Sequence, residues 1–289
     1  MKYTYYPGCS GEHSSKMYDT STRAVFDALG AELIDLDDWN CCGATSYMSV
    51  EEVLSFAISG RNLALAEKEG RDLITPCSGC YVTLNKTHHY YNEYPELREK
   101  LDEVLASVGL EYKGKQGVRH VLDPLVNDIG FEAIAARVKS PLKGLKVAPY
   151  YGCQIVRPFT DFDDPDDPQL MDELLKTLGA TVVPYEFKTR CCGGAQMGTN
   201  QDLALEMVRM LLSCAEANGA DMICTTCPLC QMNLEAFQKD INKRFGLKVS
   251  IPIVYFTQLT AAAFGLPENT ILAKKHIVPF ADKLAAVTA

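Results

Sequence analysis

Short apolar runs and amphipathic stretches alternate along this chain. Lys2–Tyr6 is an apolar-aromatic run, which predicts a strand ending at Pro7-Gly8-Cys9. Residues 15–29 have helical spacing and stop at Gly30, a residue suited to a left-handed helix end. Glu32–Leu36 predicts a second strand. Ser49 followed by Glu52 has capping-box spacing, so a helix is expected to start there and run towards Gly70. Leu73–Thr75 predicts a third strand, running into Cys77, and a helix is expected after Cys80. Pro95–Val108 reads as a further helix and Val118–Val121 as a fourth strand.

The pattern then repeats. Leu145–Tyr150 predicts a strand running into Cys153, Leu170–Leu178 a helix ending at Gly179, and Thr181–Pro184 a strand. Asn200 can cap a helix over Gln201–Asn218, and Met222–Cys224 and Ile251–Phe256 read as strands. Alternating strands and helices predict an α/β fold in two tandem, pseudo-symmetric domains, each a small, mostly parallel sheet flanked by helices. A boundary near Val138–Leu145 divides the chain into residues 1–140 and 141–289.

The twelve cysteines carry the same repeat. Cys9, Cys41-Cys42 and Cys77-x-x-Cys80 are separated by 31 and 34 residues; Cys153, Cys191-Cys192 and Cys227-x-x-Cys230 by 37 and 34. The neighbours match too. Leu29-Gly30-Ala31 corresponds to Leu178-Gly179-Ala180, and Cys41-Cys42-Gly43 to Cys191-Cys192-Gly193. The longer interval is explained by a Pro/Asp-rich insert at Asp161–Pro168, of the kind surface loops tolerate. Cys214 and Cys224 lie outside the repeat and read as small buried side chains.

Composition narrows the function. A formal charge of −9 repels phosphate backbones, so no nucleic-acid partner is expected. No apolar run reaches the roughly 18–20 residues of a membrane span, and MKYTYYPGCS lacks the apolar core of a signal peptide. A cytoplasmic location is expected. Structural disulfides are rare there, so this cysteine count points to metal or redox chemistry. There is no GxGxxG fingerprint, P-loop or HExxH pair. His88-His89 reads as a surface-helix pair and Trp39 as packing. Lys16, Lys86, Arg157, Lys188 and Arg190 lie near cysteines and could meet an anionic substrate, but most such residues are only solvated surface.

Iron–sulfur clusters and structural zinc both take four thiolates as a rule. Five per set exceed either. Adjacent cysteines in extended backbone point to opposite sides, and so serve different irons more easily than one. Ligands of open parallel sheets bind outside the carboxyl ends of the strands, where these cysteines are expected. The pattern therefore favours a polynuclear centre in each half. Zinc in one or both sites is the alternative.

The double cysteine followed by glycine, between a lone cysteine and a CxxC, resembles the CCG (cysteine-rich) domain. Two copies without an attached ferredoxin module resemble the B subunits of heterodisulfide reductases. Further matching stretches are Tyr5-Tyr6-Pro7-Gly8-Cys9, Asp38-Trp39-Asn40-Cys41, Cys227-Pro228-Leu229-Cys230 and Tyr255-Phe256-Thr257-Gln258-Leu259. The resemblance implies two non-cubane [4Fe–4S] clusters. Cys9, Cys41, Cys42, Cys77 and Cys80 would hold one, and Cys153, Cys191, Cys192, Cys227 and Cys230 the other. It implies a catalytic iron–sulfur subunit that reduces a small disulfide, the coenzyme M–coenzyme B heterodisulfide or an analogue, with the chemistry at the cluster irons. Electrons would come from a ferredoxin-type iron–sulfur protein, the C subunit, with a flavin-containing A subunit upstream. Two other expectations stand beside it. One is an electron-transfer subunit of a related dehydrogenase or reductase for succinate, glycolate, glycerol-3-phosphate or lactate. The other is a zinc scaffold.

Overall fold

The structure is a computed structural model that describes residues 1–44, 50–159 and 162–288. The expected capping residue Ser49, and Asp161 of the acidic insert, lie outside the described residues.

Two four-stranded, all-parallel sheets form the frame. The first contains β1 (Lys2–Tyr5), β2 (Glu32–Asp35), β3 (Leu73–Thr75) and β4 (Val118–His120), in the order β2-β1-β3-β4. The second repeats it as β6-β5-β7-β8, from β5 (Lys146–Tyr150), β6 (Thr181–Val182), β7 (Met222–Thr225) and β8 (Ile253–Tyr255). Central strands β3 and β7 are buried at every residue, as an internal strand covered on both faces must be. The outer strands β2 and β6 are partly exposed, as edges are.

This order places the topological switch point between β1 and β3, and between β5 and β7. A crevice opens there beyond the strand ends. Each of those four strands runs directly into a cysteine segment.

Helices cover the sheets. Those used below are α1 (Lys16–Ala28), α2 (Glu52–Glu69), α3 (Ser78–Glu93), α4 (Pro95–Ser107), α5 (Gln201–Ala217), α6 (Pro228–Ala236) and α7 (Phe256–Ala263). Asn200 caps α5 as expected, its side chain accepting from the Leu203 N–H. The helix expected after Cys80 instead starts at Ser78, so the CxxC occupies its first turn. A π-helical turn over Pro124–Gly130 and a helix over Phe131–Arg137 follow the first sheet.

The halves share one core. Tyr3, Phe26, Val147, Met171, Phe256 and Leu259 belong to a single buried cluster. Helix α7, from the C-terminal half, packs on α1 of the first. Tyr18 stacks on Tyr255 with ring centroids 4.0 Å apart, and Ser21 Oγ lies 2.7 Å from Thr257 Oγ1.

Candidate functional site

Strands β1 and β5 lead into Gly8-Cys9 and Gly152-Cys153. Both glycines have a left-handed backbone, with φ of +71° and +72°. A Cβ on Gly8 would sit 3.1 Å from Cys80 Sγ, and one on Gly152 3.3 Å from Cys230 Sγ. Each glycine thus lets its loop close over the CxxC sulfur. Tyr6 and Tyr150, three residues before the lone cysteines, work as a matched pair. The Tyr6 hydroxyl donates to Asn40 O at 2.8 Å, and that of Tyr150 to Arg190 O at 2.7 Å. These are the carbonyls just before each double cysteine.

The double-cysteine loops are pinned from the other side as well. Ser59 Oγ on α2 donates to Cys42 O at 2.6 Å, and Asn233 Nδ2 on α6 donates to Cys192 O at 2.6 Å. Gly43 and Gly193 turn the chain with φ of +77° and +72°. The Gly193 N–H reaches back to Cys191 Sγ at 3.3 Å. Such N–H···S contacts orient and tune a metal-bound sulfur.

Cys77 and Cys227 occupy the N-cap positions of α3 and α6. Helix N-termini present unpaired N–H groups that favour a thiolate, but Cys77 is pushed well above the ordinary thiol range by its contact with Cys227. Cys227 is held well below the ordinary thiol range, because the Cys230 and Cys77 thiols donate to it and the Cys230 and Leu229 N–H groups add to this.

All ten sulfurs of the repeat form one continuous file. Cys9 and Cys41 are 3.9 Å apart, Cys42 and Cys80 3.3 Å, and Cys192 and Cys230 3.5 Å. Further thiol contacts join Cys41 to Cys42, Cys80 to Cys77, Cys230 to Cys227, Cys192 to Cys191, and Cys191 to Cys153. Cys77 contacts Cys227, and so links the two halves. Cys9, Cys41 and Cys191 are exposed and Cys153 is partly buried, whereas Cys42, Cys77, Cys80, Cys192, Cys227 and Cys230 are buried. One end of each set is therefore open and the other closed. A cavity of about 690 Å³ lies against the open side of the first set, lined by Trp39, Cys41, Leu54, Ala57, Val104 and Val108.

The crowding has an electrostatic consequence. A Cys153 contact and the neighbouring Cys192 pull Cys191 down to about 2, while the Cys191 contact pushes Cys192 up to about 12. Cys80 is raised well above the ordinary range by Cys42 and Cys77, with burial adding to this. Cys42, Cys191 and Cys227 are pulled down and each thiol touching them is pushed up, because adjacent buried thiolates repel one another. A cationic metal centre removes that conflict, so the donor set fits an iron–sulfur group. Among the described residues, no three or more His, Cys, Asp or Glu side chains are arranged to hold a single metal ion.

The remaining candidates separate cleanly. Cys224 is buried in β7 with its sulfur 3.9 Å from Met171 Sδ, and Cys214 is partly buried on α5 near Glu186. His88 bonds the Tyr112 hydroxyl at 2.7 Å, and His89 stacks on Phe159 at 4.4 Å. Trp39 packs edge-on against Tyr6 at 5.2 Å. Lys188 is tied to Asp172 and Pro168 O, Arg157 to Thr189 O and Pro165 O, and Lys86 to Glu52. Tyr6 lies in a stretch that carries the resemblance, but the sequence assigns no anchoring role to Tyr6, Tyr150, Ser59 or Asn233. The matching tyrosines before the lone cysteines were the available signal.

The cysteine-rich CCG domain matches residues 3–85 and 147–235, which span both sets. The chain belongs to the CCG cysteine-rich domain family. Among CCG relatives, a heterodisulfide reductase B-subunit-like protein of Archaeoglobus profundus is 34% identical over 93% of each chain. The 8-methylmenaquinol:fumarate reductase membrane anchor subunit of Wolinella succinogenes is 31% identical, over 98% of this chain and 99% of its own. The B subunit of a ferredoxin/F420H2-dependent CoB-CoM heterodisulfide reductase of Methanosarcina acetivorans is 30% identical, over 99% and 97%. A hypothetical protein from Helicobacter pylori has a similar fold, with a TM-score of 0.77 and 15% identity; it covers 96% of this chain and 52% of its own. Among the described residues, no helix is long and apolar enough to cross a membrane.

Proposed function

We propose that this CCG protein is the catalytic iron–sulfur subunit of a heterodisulfide reductase-like complex. Cys9, Cys41, Cys42, Cys77 and Cys80 hold one non-cubane [4Fe–4S] cluster in the half 1–140. Cys153, Cys191, Cys192, Cys227 and Cys230 hold the second in the half 141–289. The observation that carries this reading is the unbroken file of ten sulfurs, open at both ends and joined across the halves at Cys77 and Cys227. Relatives named as B subunits of heterodisulfide reductases support the substrate class.

When bound, the clusters supply one-electron chemistry and an iron site for sulfur. The chain does the rest. Cys42, Cys80, Cys192 and Cys230 shield the inner side from water, while exposed Cys41 and Cys191 leave the outer side open to a small disulfide. A closed structural metal site has no such open side. Tyr6, Ser59, Tyr150 and Asn233 hold the double-cysteine loops still. The net reaction takes two electrons and two protons to each disulfide and releases two thiols. Electrons enter from a ferredoxin-type C subunit, with a flavin-containing A subunit upstream. A reducing, cytoplasmic compartment suits the free thiols.

The Wolinella relative favours a second reading, an electron-transfer subunit of a related dehydrogenase or reductase. Anaerobic protein with a reduced viologen dye separates the two. Disulfide-dependent dye oxidation, with two thiols released per disulfide, supports reduction by this protein. Reduced clusters that no disulfide reoxidises would favour electron transfer.

A further inference from the structure

The two cysteine sets meet at one backbone carbonyl. Thr226, just before Cys227, is fully buried. Its oxygen accepts from Ser78 Oγ at 3.1 Å, Tyr18 OH at 3.3 Å and His120 Nε2 at 3.1 Å, all from the first half. His120 ends β4 and is fully buried. The same Nε2 lies 3.1 Å from Pro76 O, the carbonyl just before Cys77.

Two carbonyl oxygens can only accept, and the Leu122 N–H donates to His120 Nδ1 at 3.2 Å. The partners therefore assign the neutral ring with its proton on Nε2. One N–H is shared between the residue before Cys77 and the residue before Cys227. Tyr81 packs edge-on against the imidazole and Phe256 against it at a tilt, with centroids at 6.2 and 6.3 Å. The pseudo-symmetry breaks here. His120 pairs with Thr75 across its sheet, and the corresponding partner of Thr225 is Tyr255, whose hydroxyl turns to Ser15 instead. Ser78 and Tyr18 reach the Thr226 side of the junction, whereas His120 spans both carbonyls.

We propose that His120 is a positioning residue that fixes the spacing between the two cysteine sets. It rests on the reading that each set holds a cluster. Two centres that serve one small disulfide need a separation matched to its two sulfurs. An error of about 1 Å in such placement costs roughly a hundredfold in rate.

The test uses the full chain with His120→Phe, which keeps a ring and drops the donor, and His120→Gln, which restores an N–H. The first readout needs no metal. Diamide converts two neighbouring thiols into a disulfide while its azo group is reduced to the hydrazine. Mass spectrometry then follows the Cys77–Cys227 and Cys42–Cys80 cross-links separately. His120→Phe is expected to slow the cross-half pair by about tenfold, on the scale of one lost buried hydrogen bond. The Cys42–Cys80 pair should keep its rate, and His120→Gln should recover the slowed one. Unchanged rates, or equal slowing of both pairs, overturn the proposal.

The second readout is on iron-loaded protein. His120→Phe should keep its iron, change the EPR signal of the fully reduced protein, and lose roughly a hundredfold in kcat. Loss of the iron itself would make His120 an assembly residue and overturn the proposal. A wild-type protein without iron would sink the cluster reading, while the cross-linking still decides the spacing.

Discussion

At Gly8 and Gly152 the backbone conformation and the room for a side chain point the same way. Each has positive φ, and an added Cβ would press on the CxxC sulfur at 3.1 or 3.3 Å. Alanine in a left-handed conformation costs about 1–2 kcal/mol before any clash. Gly8→Ala should therefore lower metal content selectively, leaving roughly half the iron of a protein with two four-iron clusters. Gly152→Ala should do the same for the second set. Iron analysis with EPR of each variant checks this, and full loading of both would contradict it. The cysteines and these glycines were legible because they repeat. His120 was not, because its partners Pro76 and Thr226 lie 44 and 106 residues away and no local pattern marks a single buried histidine.

At the scale of elements, alternation of short apolar runs with amphipathic stretches located every strand to within a residue or two. Helix starts near cysteines were harder. Cys77 has an extended backbone and sits at the N-cap position of α3, so the helix begins at Ser78 rather than after Cys80. In the second half, Pro228 at the first helical position fixes the same start. Helix α7 gave no amphipathic signal because every residue of Phe256–Ala263 is buried between the halves. The helices also work as anchors. Asn233→Ala on α6 leaves the Cys192 carbonyl without this donor, which costs about 1–3 kcal/mol at a buried site. Chemical denaturation of the metal-free protein should show that loss, and iron analysis should show depletion of the second set alone. A stability within about 0.5 kcal/mol of wild type would mean the loop is held by other contacts.

The whole molecule adds what neither half carries alone. Two similar sheets were readable from the duplicated sequence, and a pseudo-two-fold between them could be inferred, but not the contacts that join them. Their union depends on Tyr18 against Tyr255, Ser21 against Thr257 and α7 against α1, all contacts between distant segments. That union brings Cys77 to Cys227 and makes two five-cysteine sets into one file. Everything proposed for the protein rests on what those sulfurs hold. The most direct measurement is iron, zinc and acid-labile sulfide per chain, on protein purified without oxygen. Two four-iron clusters predict about eight irons with matching sulfide. About one or two zincs without sulfide would contradict the iron–sulfur reading and leave a zinc scaffold in its place.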